Sequence, residues 1–146
     1  MQIALVRDVK TPARGSDKSA GIDFFIPNDY IGTKGIWPQE DILIPSGVKA
    51  KIPEGYMLTA FNKSGVATKK GLIVGACVCD EDYQGEIHLH LINTTTQKVD
   101  IAPGEKIVQF VLVPILYEGI EVVKEDELFE TETERGAGGF GSTGTS

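Results

Sequence analysis

Asp80, Glu81, Asp82 and Tyr83 place three carboxylates and a phenol in one short polar stretch, followed by Gln84 and Gly85. A turn needs one Asp or Asn and a glycine for its geometry, and Asp-Glu-Asp-Tyr exceeds that need. Before the stretch runs the apolar segment Val74–Cys79. After it Ile87, Leu89 and Leu91 alternate with Glu86, His88, His90 and Ile92. Period-two patterning around a glycine-containing turn predicts a β-hairpin with these groups at its tip. A carboxylate at the end of a buried strand is held rigidly and partly desolvated, which suits Asp80 to general-base work on water; the plain alternative is a turn-capping Asp. Tyr83 offers a flat face for a sugar or base, or is simply a hairpin aromatic.

Asn62-Lys63-Ser64-Gly65 combines a cation, a hydroxyl and a glycine that lets backbone approach closely, the ingredients of a phosphate grip. It is not a Walker A sequence, and the plain reading is an exposed loop. The end of the chain, Arg135–Ser146 (RGAGGFGSTGTS), is nearly half glycine and cannot pack a core. It carries a guanidinium fork, the aromatic Phe140, and the hydroxyls of Ser142 and Thr143, so it is expected to be a disordered tail that becomes a lid over a nucleotide. Cys77 and Cys79 on one arm with His88 and His90 on the other form a possible zinc set, against which both cysteines read as small core residues in an apolar run.

Short strands must position these groups. Residues 1–9 alternate; Ile42–Ile44, Val48–Ile52 and Tyr56–Phe61 are separated by Pro45-Ser46-Gly47 and Pro53-Glu54-Gly55; Lys106–Ile115 is a long apolar strand and Ile120–Val123 a last short one. One helical turn is expected at Val66–Lys70, a surface excursion at Asn28–Asp41, and a local cover role for Trp37. This pattern predicts an all-β sandwich or barrel. The 146 residues, 41% hydrophobic, suit one domain. A net charge of −7 with scattered Lys and Arg argues against nucleic-acid binding. Apolar runs too short for a bilayer, no secretory signal and only two cysteines point to a soluble cytoplasmic protein without membrane or disulfide framework.

Five stretches, in order, resemble the motifs of the trimeric deoxyuridine triphosphatases (dUTPases). Ser19–Phe24 is similar to A-G-x-D, Asn62–Ala67 to R-S-G-L-A, Gly75–Ile87 to G-V-I-D-x-D-Y-R-G-E, and Gly104–Phe110 to G-E-R-I-A-Q-L. Arg135–Gly144 matches R-G-x-G-G-F-G-S-T-G at every specified position. The resemblance implies a jelly-roll-like β-barrel over residues 1–130 and a flexible arm, 131–146, closing over a neighbouring subunit's site in a homotrimer. It implies hydrolysis of dUTP to dUMP and pyrophosphate, limiting uracil in DNA and supplying dUMP for dTMP synthesis.

Carried over by residue, Asp80 activates water and Tyr83 packs on deoxyribose. Backbone at Cys77, Val78 and His88 pairs with uracil, while Lys63, Ser64, Gly65 and Gln109 hold phosphates. Arg135, Gly141, Ser142 and Thr143 close on the γ end with Phe140 over the base. Asp23 organises waters near a Mg²⁺ carried by triphosphate and water, with no direct protein ligand.

The chain departs from the family pattern at several positions. Lys63 stands where Arg is usual, which loses the fork; Asn62 replaces a common Pro, Cys77 a usual Gly, Cys79 a usual Ile and Gln84 a usual Arg. Two alternatives share the fold: a dCTP deaminase relative, disfavoured by Asp80–Tyr83 and the tail, and a nucleotide-binding barrel that signals to a protein partner through Asn28–Asp41.

Overall fold

A computed structural model describes residues 1–139, which divide between two compact units, Met1–Leu116 and a second that begins at Tyr117. The first holds twelve strands and one helix. These are β1 (Gln2–Leu5), β2 (Ala13–Arg14), β3 (Ile22–Phe25), β4 (Gly35–Ile36), β5 (Asp41–Pro45), β6 (Val48–Lys51), β7 (Tyr56–Asn62), α1 (Ser64–Lys70), β8 (Leu72–Val74), β9 (Val78–Cys79), β10 (His88–Asn93), β11 (Val99–Asp100) and β12 (Lys106–Pro114). The helix starts earlier than the expected turn and reaches Ser64. Its last residues pin to the barrel, Lys70 pairing with Glu105 and donating to the Asp100 carbonyl at 3.1 Å.

Two sheets dominate. One has the order β2-β3-β12-β7-β9, the other β5-β10-β8, and the ribbons β1-β6 and β11-β4 flank them. Every pairing is antiparallel. The long apolar run becomes β12, the centre of the larger sheet, with β3 on one side and β7 on the other. Its Val108 and Phe110 turn inward with Phe24 and Leu58 of the same sheet. They meet Ile44, Leu89 and Leu91 of the smaller sheet in one cluster. Phe24 and Phe110 pack in a tilted pair with 4.5 Å between ring centroids. Burying side chains of this size contributes about 1.5–3 kcal/mol each. This is the all-β, jelly-roll-like architecture expected.

Consecutive strands often change sheets. β5 pairs with β10, but β6, just past the Ser46-Gly47 turn, pairs with β1. The segment after α1 does the same and corrects the expected hairpin. Its left arm is not one strand: β8 pairs with β10 at Val74↔Leu91, whereas β9 pairs with β7 at Leu58↔Cys79 and Thr59↔Val78. Between them, at 75–77, the chain crosses from the smaller sheet to the larger. The arms nearest the Asp80–Gly85 turn therefore belong to different sheets and diverge.

Other local expectations are revised. Ile120–Val123 forms no strand; a short alternating segment needs a ladder partner, and Ile120 and Val122 are 97% and 94% exposed. Trp37 does not cover the core but is 57% exposed, with Lys98 Nζ 5.9 Å from its ring centroid, while neighbouring Ile36 fills the buried position. In the second unit a 3₁₀ turn spans Glu125–Glu127. Among the described residues no helix is long and apolar enough to cross a membrane.

Candidate active site

The divergence of β9 from β10 opens a cavity of about 180 Å³. Ala76, Cys77, Val78, Cys79 and Asp80 line one side, Tyr83, Ile87 and His88 the other, with Leu43 and Phe110 behind. Five sequence-predicted residues thus meet at one place: Asp80, Tyr83, Cys77, Val78 and His88. β9 is the last strand of its sheet, so the far row of its backbone groups is used by no other strand of that sheet.

The turn is braced by its own backbone. Tyr83 N–H donates to the Asp80 carbonyl at 3.2 Å, and Tyr83 Oη–H to the Glu86 carbonyl at 2.9 Å. His88 Nδ1 bonds that same carbonyl at 2.9 Å. Gly85 lets the phenol return so closely, because a Cβ there would collide with the Tyr83 ring. Glu81 accepts from Gly55 N–H at 2.6 Å and ties the tip to the β6–β7 turn.

Glu86, by alternation an outward position, anchors the base of the return arm. Arg7 grips its carboxylate with two N–H bonds, at 2.7 and 3.1 Å, and Gly47 N–H adds a third at 2.7 Å. The Arg7 hydrogen bond lowers the Glu86 carboxyl below its ordinary range, against the opposing effect of burial. Burial, then the Asp80 charge, pushes the Cys79 thiol up, which fits a core thiol rather than a reactive one. Asp80 is exposed in the single chain, at the end of an edge strand rather than a buried one, so the desolvation expected for it is absent here. Among the described residues no group of three or more His, Cys, Asp or Glu side chains is placed to hold a metal.

A second group lies across β3, β7 and β12. Register sets Gln109 opposite both Asp23 and Phe61, and Lys63 follows β7 directly. Asp23 is buried on β3, which is costly for a charge unless it is paired. Lys63 pairs with its Oδ1, and Lys106 Nζ sits 3.0 Å from Oδ2. Burial works to raise this carboxyl, but the two lysines outweigh it and hold it below the usual range. Gln109 Nε2 donates to the Asn62 carbonyl at 2.7 Å, while Asn62 Oδ1 accepts from Val74 N–H at 2.7 Å. Asn62 therefore ties the lysine-bearing loop to both sheets. Ser64 and Gly65 are exposed, and open space surrounds the Gly65 Cα.

Lys106 joins this group although no local motif marks it; its signal is a buried Asp needing cations, which only register supplies. With both oxygens of Asp23 taken by lysines, the donor set fits a divalent ion held through phosphates and water better than a direct carboxylate ligand.

In the second unit Arg135 Nε–H donates to the Gly138 carbonyl at 2.8 Å. Phe140, Gly141, Ser142 and Thr143 lie outside the described residues.

The family model described as dUTPase matches residues 7–144. The chain belongs to the dUTPase family. It is 39% identical over 142 residues to the deoxyuridine 5'-triphosphate nucleotidohydrolase of Hydrogenobaculum sp., covering 96% of this chain and 94% of that one. The mouse enzyme of the same name is 35% identical over 142 residues, with 97% and 83% covered. Among solved structures, Staphylococcus bacteriophage 80alpha dUTPase with dUPNHPP superposes with a TM-score of 0.84 at 28% identity, covering 99% of this chain and 98% of that one. That structure accompanies the statement that phage dUTPases control transfer of virulence genes by a proto-oncogenic G protein-like mechanism. The protein is accordingly a dUTP diphosphatase, hydrolysing dUTP to dUMP and pyrophosphate.

Proposed function

We propose that the cavity between β9 and β10 reads the uracil edge through backbone groups at Cys77, Val78 and His88, while Tyr83 packs on the deoxyribose and leaves no room for a 2′-hydroxyl. The observation that carries this reading is the parting of the two arms into different sheets, which leaves an edge of backbone beside a base-sized space. A site built for one order of donors and acceptors rejects cytosine steeply. A thymine methyl is rejected by tight packing around the base.

Lys63, Ser64, Gly65 and Gln109 hold the triphosphate. Asp80 orients a water whose oxygen attacks the α-phosphorus. The bond from that phosphorus to the α,β-bridging oxygen breaks, pyrophosphate leaves, and the Asp80 carboxylate takes the water's proton. Positioning and charge neutralisation supply most of the acceleration. A Mg²⁺ carried by the triphosphate supplies charge neutralisation, with Asp23 and its lysines ordering the surrounding waters and phosphates.

The active unit is a homotrimer with shared sites, in which the arm of residues 131–146 closes over a neighbour. There Arg135, Gly141, Ser142 and Thr143 meet the γ-phosphate and Phe140 covers the base.

Asp80→Asn tests the mechanism. Binding of a non-hydrolysable dUTP analogue should survive while turnover falls by about three orders of magnitude or more. Turnover near wild type would remove Asp80 from the reaction.

A second role in protein contact is favoured by the Asn28–Asp41 excursion, where Ile31 and Trp37 are exposed. It should be read as loss of partner capture in an Ile31→Ser/Trp37→Ser double variant with dUTP turnover intact.

A further inference from the structure

The sheet-to-sheet crossing at 75–77 creates a hydrogen-bonding problem that one side chain solves. Up to Val74 the chain pairs with β10, and Gly75 N–H still donates to the His90 carbonyl at 3.1 Å. By Cys77 it has joined the other sheet, where the Cys77 carbonyl accepts from Ala60 N–H at 2.7 Å. Ala76 lies between, and its N–H has left one ladder without entering the next. It donates instead to Nδ1 of the His90 ring at 2.7 Å. The ring reaches it by lying against Gly75, where any Cβ would collide with the imidazole.

The far side of the ring is also committed. Nε2 lies 2.8 Å from Asp41 Oδ2, on the neighbouring strand β5. An N–H can only donate, so Nδ1 must be the bare nitrogen, and Nε2 carries the proton it gives to Asp41. The carboxylate thereby selects the tautomer that can accept from Ala76. Asp41, His90 and Ala76 form a chain of two hydrogen bonds from the surface of β5 to the residue before Cys77, which opens the base-reading edge.

We infer that His90 is a positioning residue for base recognition: its imidazole, oriented by Asp41, sets where the Ala76–Val78 backbone stands in the cavity. This rests on the reading of that cavity as the uracil site. It gives His90 a role that side-chain alternation alone would assign to an outward-facing strand position.

The test uses the full-length protein and pairs a substrate-free readout with a kinetic one. His90→Leu removes the acceptor. His90→Asn keeps an oxygen near the Nδ1 position. His90→Gln reaches toward Asp41 without serving Ala76. Amide hydrogen exchange at Ala76 should quicken about tenfold or more in the Leu and Gln variants and stay near wild type in the Asn variant. KM for dUTP should rise roughly three- to tenfold in the Leu and Gln variants with kcat little changed, because the lost interaction serves ground and transition state alike. Asn should restore it. Asp41→Ala, at an exposed position, should raise KM by about two- to threefold through loss of tautomer control. That variant keeps the proposal falsifiable if Leu does not fold.

Unchanged Ala76 exchange in the Leu variant, or an Asn variant no better than Leu, overturns the His90 link. Faster exchange with unaltered KM overturns the placement of uracil in this cavity, and the proposal with it.

Discussion

The two groups of site residues are built on opposite principles. Around Asp23 charge is concentrated about one buried carboxylate, paired with Lys63 just past β7 and with Lys106 on β12, and Gln109 stands opposite it in register. Around Asp80 the charge is exposed, and the structure is held by side chains returning to their own backbone, as Tyr83 and His88 both do at the Glu86 carbonyl. The first arrangement suits a polyanion, whose recognition is mainly electrostatic. The second suits a neutral base, whose recognition depends on where donors and acceptors stand. Damage to the lysine group should therefore weaken all triphosphates alike, whereas damage to the cavity should change which base is accepted.

The largest effect expected, after loss of Asp80, comes from removing the arm proposed to close over a neighbour's site. Deleting residues 135–146 should leave a folded trimer whose dUTP turnover falls on the order of a hundredfold or more. Mixing that truncation with Asp80→Asn protein, then exchanging subunits, should recover part of the activity. Full activity of the truncation alone, or no recovery on mixing, would contradict sites shared between chains.

Lys63→Ala should come next, lowering kcat/KM roughly ten- to a hundredfold for dUTP. Lys63→Arg should lie close to wild type or above it, since the fork grips phosphate more firmly. A selectivity change without loss of affinity in Lys63→Ala would erase the contrast between the two groups.

Acid should weaken both groups through a paired carboxylate in each. Asp23 and Glu86 both titrate below their ordinary values of 3.8 and 4.5 in the folded chain. Between the folded and unfolded values the unfolded chain binds more protons, so stability falls as pH falls. The contribution is complete above the ordinary values and lost as pH drops through the depressed ones. Thermal melts across this acid range should show that slope, and Asp23→Asn should flatten its share. A melt curve as steep as wild type in Asp23→Asn would remove the carboxylate from the effect.

Tyr83→Phe should be mildest, raising KM for dUTP by about threefold through loss of the bond to the Glu86 carbonyl.

Much of this was legible in residue types. The glycine and proline punctuation marked the strands, and alternation placed Leu89 and Leu91 in the core, as found. The stretch Asp80–Tyr83 and the run at Lys63 pointed to the two places where the structure gathers these groups, beside a cavity and beside a buried carboxylate. What escaped notice depended on long-range pairing. A strand's partner is not written in its own pattern, so Val74–Cys79 read as one arm although its two ends join different sheets. Ile120–Val123 had a strand's alternation without a ladder to join. Lys106 and Arg7 found their carboxylates across 83 and 79 positions of chain, separations no local motif encodes.

The most direct test of the base-reading cavity is pyrophosphate release with Mg²⁺ from dUTP, dCTP, dTTP and UTP in parallel, by wild type and by Cys77→Ala. Release from dUTP alone by both proteins is the expected result, since backbone at 77 and 78, not the thiol, is held to read the base. Comparable release from dCTP, or selectivity that vanishes with the thiol, would contradict it.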